Sequence, residues 1–172
     1  MMAKKENRRN PWEALLFLAY AVIMLYFLFF RTRAVTEGLS YWEQIQQNCN
    51  VIPWRTVGNY WDVLTRPDYY IAKWEAASIY RYRAAAAVIN ILGNIAMFVP
   101  FGVFLPAMWP KLRRFWKTSL AGFFSILVVE ICQLMTLRGR FDIDDLLLNT
   151  IGIMIGYGLW RMAHPTRKKK RN

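Results

Sequence analysis

Pairs of polar residues recur at helical spacing inside apolar stretches of this chain. Asn90 and Asn94 lie four apart, Glu130 and Gln133 three apart, and Asp145 and Asn149 four apart. On an α-helix each pair shares a face. Gly152 and Gly156 continue the last stripe and Asp142 precedes it, whereas Asp144 points elsewhere. Arg138 and Arg140 stand just before this stripe. Carboxyls and amides at these positions suit hydrogen bonding or proton transfer, with Glu130 and Asp145 as the candidate acid–base pair. Arginines suit bidentate binding of phosphate. The competing expectation is packing: asparagines tie apolar helices together, and a buried carboxyl pairs with an arginine. Asp142 and Asp145 would pair with the two arginines, or hold a divalent cation against a phosphate. No metal-ligand spacing is present, so neither metal nor cofactor is assigned. Nor does a nucleophile stand out, since Ser125 and Cys132 have no histidine near them in sequence. Cys49 has no obvious partner, and the lone His164 reads as solvated beside Pro165 and a basic tail.

The segments that must position these residues are apolar enough for lipid. The chain of 172 residues is 56% hydrophobic and 16% aromatic, yet carries a net charge of +12. That combination argues for a membrane protein with basic flanks and against a nucleic-acid binder. Four spans of about 20 residues are expected, over 12–30, 84–108, 118–137 and 143–163. The first follows "KKENRR" and precedes "RTR". It is long for a signal peptide and lacks small residues at its end, so it reads as an uncleaved anchor. Pro100 should bend the second span and free the carbonyl of Ala96 as an extra acceptor. Gly152 and Gly156 form a small-xxx-small pattern for close helix approach.

Basic residues set the orientation. Lys4, Lys5, Arg8 and Arg9, then Lys111, Arg113, Arg114 and Lys117, then the tail "RKKKRN" all fall on one side of a four-span chain. That side should be cytoplasmic, with both termini inside a plasma membrane. All three polar pairs then lie within the outer half of the bilayer, one to three turns below its surface. A polar pocket opening to the outer leaflet follows, rimmed by Arg138 and Arg140.

The outer loop, 31–83, is too long and aromatic for a plain linker. "EGLSYWEQIQQ" and "PDYYIAKWEAASIYRYR" are each expected to form an interfacial helix, with "NVIPWRTVGNYWDVL" and its Pro53 between them. The fold class is therefore all-α: one domain, 1–172, holding a four-span bundle, an outward loop with interfacial helices, and a basic tail, 164–172.

"NILGNIAMFVPFG", the Glu130–Gln133 pair, "GRFDIDDLLLNTIGIMIGY" and the upstream "NVIPWRTV" together resemble the VanZ-like family of small bacterial membrane proteins. The resemblance runs over roughly residues 15 to 162. Trp54 stands where a phenylalanine is expected and keeps the aromatic character. The resemblance implies a bacterial cell-envelope setting and an association with low-level resistance to the lipoglycopeptide teicoplanin. It carries over no catalytic residue. The expected activity is binding of membrane lipids, lipid-linked cell-wall intermediates or a lipoglycopeptide by Asn90, Asn94, Glu130, Gln133, Arg138, Arg140, Asp142, Asp145 and Asn149. The alternatives are an intramembrane enzyme acting on a lipid-linked phosphate, and a proton-coupled transporter or flippase. Four spans are few for a transport path, which would require a homodimer.

Overall fold

In the computed structural model, residues 11–30 and 35–165 are described. Lys4, Lys5, Arg8 and Arg9, the "RTR" that follows the first span and the tail "RKKKRN" lie outside them. Four helices are long and apolar enough to cross a membrane: α1 (Pro11–Phe30), α5 (Ala77–Met108), α6 (Phe115–Met135) and α7 (Ile143–Ala163). Between α1 and α5 lie α2 (Tyr41–Gln47), α3 (Arg55–Thr65) and α4 (Pro67–Trp74). The chain is a multi-pass, all-α membrane bundle. A single two-residue parallel ladder joins β1 (Cys49–Asn50) to β2 (Phe141–Asp142).

Two features differ from the sequence-based expectation. The second span begins about two turns earlier than residue 84, because "ASIYRYR" continues into α5 rather than closing the preceding helix. At 32 residues, α5 is about 48 Å long, well beyond a hydrocarbon core of about 30 Å. Its first turns therefore project past the apolar layer, where Arg83 stacks on Trp74 of α4, 4.8 Å from the ring centroid. Second, the stretch after Pro53 is itself a helix, α3. As the interior position of Pro100 implies, α5 runs through it, and through Pro106 as well. Ala96 is exposed and does not line the cavity described below, so its carbonyl is no acceptor there.

Helix α7 packs along α5 more extensively than any other two elements pack together. Glycine permits this. A Cβ on Gly152 would overlap the carbonyl oxygen of Ile95, and one on Gly156 the carbonyl oxygen of Val99. A Cβ on Gly102 of α5 would meet the backbone of Ile153 in return. The two backbones thus touch, as small-xxx-small spacing allows. Ile153 is fully buried at the centre of a core with Phe98, Leu105, Ile126 and Leu146. Helix α1 is peripheral and buries only Met24. It is fastened at two points: Tyr20 donates to the Met97 carbonyl and Gln133 to that of Leu28.

Candidate functional site

A cavity of about 450 Å³ opens near the end of the bundle that carries the α6–α7 turn. Three spans build it. Helix α5 contributes Asn90 and Asn94, α6 contributes Glu130 and Gln133, and α7 contributes Asp145 and Asn149. Arg140 and Gly139 line it from the turn, and Leu28, Met97 and Phe98 add apolar wall. Helical phase is the local cause: each pair lies on the one face its helix turns inward.

The side chains divide into those held by protein and those left open. Asn94 gives a short hydrogen bond to Asp145 Oδ1. Asn90 donates to the carbonyl of Ala86 on its own helix, at 2.8 Å. Gln133 is buried, and its amide reaches Leu28 O at 2.7 Å. Leu28 lies in the last turn of α1, where carbonyls lack intrahelical partners, so Gln133 caps that helix rather than serving Glu130. Glu130 is only 5% exposed and Asn149 only 3%. Glu130 Oε2 and Asn149 Oδ1 are buried with no hydrogen-bond partner. Buried acceptors of this kind are rare and costly, and they point to a missing donor.

Two predicted residues are not in the cavity. Arg138 continues the turn that ends α6: its N–H bonds to the Gln133 carbonyl at 2.9 Å, and the N–H of Leu137 bonds to that of Leu134. This is a Schellman turn, with Leu137 at φ 52° in the left-handed position glycine usually takes. The turn directs Arg140 to the mouth, where its Nε donates to Asn48 at 3.1 Å. Asp142 does not line the cavity. It caps the N-terminus of α7 through the N–H of Asp144 and also accepts from Asn50 and the Thr56 hydroxyl. Both its oxygens thus accept hydrogen bonds from the loop or the start of α7.

Sequence reasoning missed what the loop contributes. Asp144 is 1% exposed. Its carboxylate accepts from the backbone N–H groups of Trp54, Thr56 and Val57, the last two at 2.8 and 3.0 Å. These are first-turn donors of α3, where a negative charge also suits the helix dipole. Trp54 sits at φ 65°, a left-handed conformation unusual for a non-glycine residue. Helix α3 is thereby fastened to the start of α7. Its Tyr60 hydroxyl is pushed above the usual range, first by burial and then by the negative charge of Asp145 and Asp142. A smaller cleft of about 220 Å³ adjoins the mouth, lined by Asn50, Arg55, Thr56, Asn59, Arg140 and Asp142. The one sequence signal for this arrangement was the separate occurrence of "NVIPWRTV" and "GRFDIDD", which β1 and β2 bring side by side.

No curated protein and no solved structure shows significant similarity to the chain. One family profile, described as VanZ/LLP1, matches residues 17–164. That match takes in most of α1, the whole of the other three apolar helices, the loop helices and every cavity-lining residue, and so the chain belongs to the VanZ/LLP1 family.

Proposed function

We propose that this membrane protein binds a lipid or lipid-linked molecule of the bacterial cell envelope. The head group enters the polar cavity, and a hydrocarbon chain lies in an adjoining groove. One observation carries this reading. Leu28 and Phe98 line the polar cavity and also a second space of about 190 Å³ between α1, α5 and α6. That space is walled by residues such as Phe17, Met24 and Ile126. The two hydroxyls beside it are turned onto carbonyls, Tyr20 onto Met97 and Ser125 onto Ala121. A polar chamber meeting an apolar groove is the shape of an amphiphile. Thr118, Ser119, Ser125 and Cys132, the hydroxyls and thiol of α6, lie outside the polar cavity, which favours binding over covalent chemistry. Mass spectrometry of lipids retained on purification tests this. Glu130→Ala, which removes a head-group contact, and Ala21→Trp, which fills the groove, are each expected to lower retained lipid about tenfold. Retention unchanged in both variants would remove the reading.

In the same reading the cavity opens to the outer leaflet and both termini are cytoplasmic. Exposed Lys111, Arg113 and Arg114 at the opposite end support this orientation. Reporter fusions at residues 40 and 112 should report the outside and the cytoplasm respectively. A cytoplasmic signal at 40 overturns the orientation. Low-level teicoplanin resistance would follow from changed access of the drug to lipid-linked wall precursors. A raised inhibitory concentration in a host making the protein, abolished by Glu130→Ala, is the corresponding result.

A further inference from the structure

The cavity has a particular imbalance of donors and acceptors. The amides of Asn90, Asn94 and Gln133 already donate to protein oxygens. Asp145 and Glu130 are both carboxyl acceptors, and Glu130 Oε2 and Asn149 Oδ1 have nothing to accept from. The side chains facing inward therefore offer mainly oxygen. Charge is unbalanced in the same direction. Two carboxyls line the space, against one arginine at the mouth. Arg66 pairs with Asp62, far along the chain from this site. In a medium of low dielectric constant, such a pair of carboxyls calls for a positive charge between them or a shared proton.

Cations are arranged differently. Arg140 lines both the cavity and the cleft beside it, and Arg55 lines that cleft from the first turn of α3. The cleft also holds Asp142, but its oxygens are taken up by Asn50, Thr56 and the Asp144 N–H, so a molecule reaching inward is offered the guanidinium groups ahead of Glu130 and Asp145. That order matches a zwitterion with its anion outermost.

We propose that the head group taken by this cavity carries a protonated primary amine, seated between Glu130 and Asp145 with the Asn149 carbonyl as third acceptor, and a phosphate at Arg140. The ligand class is an amine-bearing phospholipid or lipid-linked phosphate. The proposal rests on the lipid-binding reading above and adds the chemistry of the head. A primary ammonium supplies three N–H donors and one positive charge. A quaternary amine has the charge without the donors, and a glycerol head has hydroxyl donors without the charge.

These differences define the experiment. The protein is reconstituted in bilayer discs of phosphatidylcholine holding equal small fractions of phosphatidylethanolamine and phosphatidylglycerol. Lipids that stay bound after detergent extraction are counted by native mass spectrometry. Phosphatidylethanolamine is expected to be retained about tenfold over both others. Glu130→Gln and Asp145→Asn keep side-chain shape and should each reduce that preference to near unity while leaving the melting temperature unchanged. The wild-type preference is an independent readout should either variant fold poorly. Equal retention of phosphatidylglycerol overturns the amine while leaving lipid binding intact. Retention of phosphatidylglycerol only with added magnesium also overturns it, since a metal ion then takes the carboxyls. Displacement of bound lipid by an equal concentration of free phosphoethanolamine overturns the lipid part of the proposal. If no lipid is retained above its bulk fraction, the lipid-binding reading itself falls.

Discussion

Asp144→Ala is expected to lower stability by about 3–5 kcal/mol, the range found when one partner of a buried charged network is removed. The carboxylate is 1% exposed and takes three backbone N–H groups from the start of α3. Alanine leaves those donors facing each other in a dry site. Trp54 also loses the contact that holds it at φ 65°. A drop in melting temperature of about 10 °C should accompany this, together with faster proteolysis within residues 51–57. Asp144→Asn should recover only part of the loss, because its NH₂ would point at N–H donors. Wild-type melting and protease resistance in Asp144→Ala would show that α3 is held by something else. Because α3 lines the cleft beside the mouth, ligand retention should fall with the anchor even though Asp144 does not line the cavity.

The second large effect concerns α5 and α7. Gly156→Ala adds a methyl group where the Val99 carbonyl and the backbone of Gly102 already stand. Backbone atoms cannot rotate aside as a side chain could, so the helices must separate. The expected cost is about 3 kcal/mol, at the upper end of ordinary overpacking, and Gly152→Ala should behave alike. Gly158 provides the control. It lies on the same helix with open space where its Cβ would be. Gly158→Ala should be neutral or stabilising by about 0.5–1 kcal/mol, since alanine is the better helix former. Thermal unfolding of the three variants side by side decides the matter. Equal melting of Gly156→Ala and Gly158→Ala would mean that α5 and α7 do not touch.

Legibility in the sequence followed range along the chain. The Asp145–Asn149–Gly152–Gly156 stripe could be read because helical phase is set within one segment. The grouping of three such faces could be read because hydropathy and basic flanks order the spans. What lay hidden depends on partners 86 to 105 positions away. Gln133 looks like a neighbour of Glu130, yet its amide is taken up by Leu28. Asp142 lies in phase with Asp145, but it precedes the helix and so follows strand geometry toward Asn50. Asp144 was set aside as out of phase with the cavity, and that phase is what aims it at α3. A ladder of two residues per strand is too short to leave any alternation in sequence. The first turns of α5 were misassigned because tyrosine and arginine suit an interface, and a helix that outruns the bilayer carries interfacial residues within its own length.

The ladder between Cys49–Asn50 and Phe141–Asp142 also fixes an order of assembly. Asn50 and Asp142 are 92 positions apart. As the chain is made, the segment holding β1 and α3 is complete before α5, α6 and the α6–α7 turn exist. At about 5–20 residues per second, its strand edge and helix start wait roughly 5–20 s for Asp142 and Asp144. The rim shared by β1, α3 and the α6–α7 turn therefore closes only after three of the four long helices have been made, a late event of biogenesis.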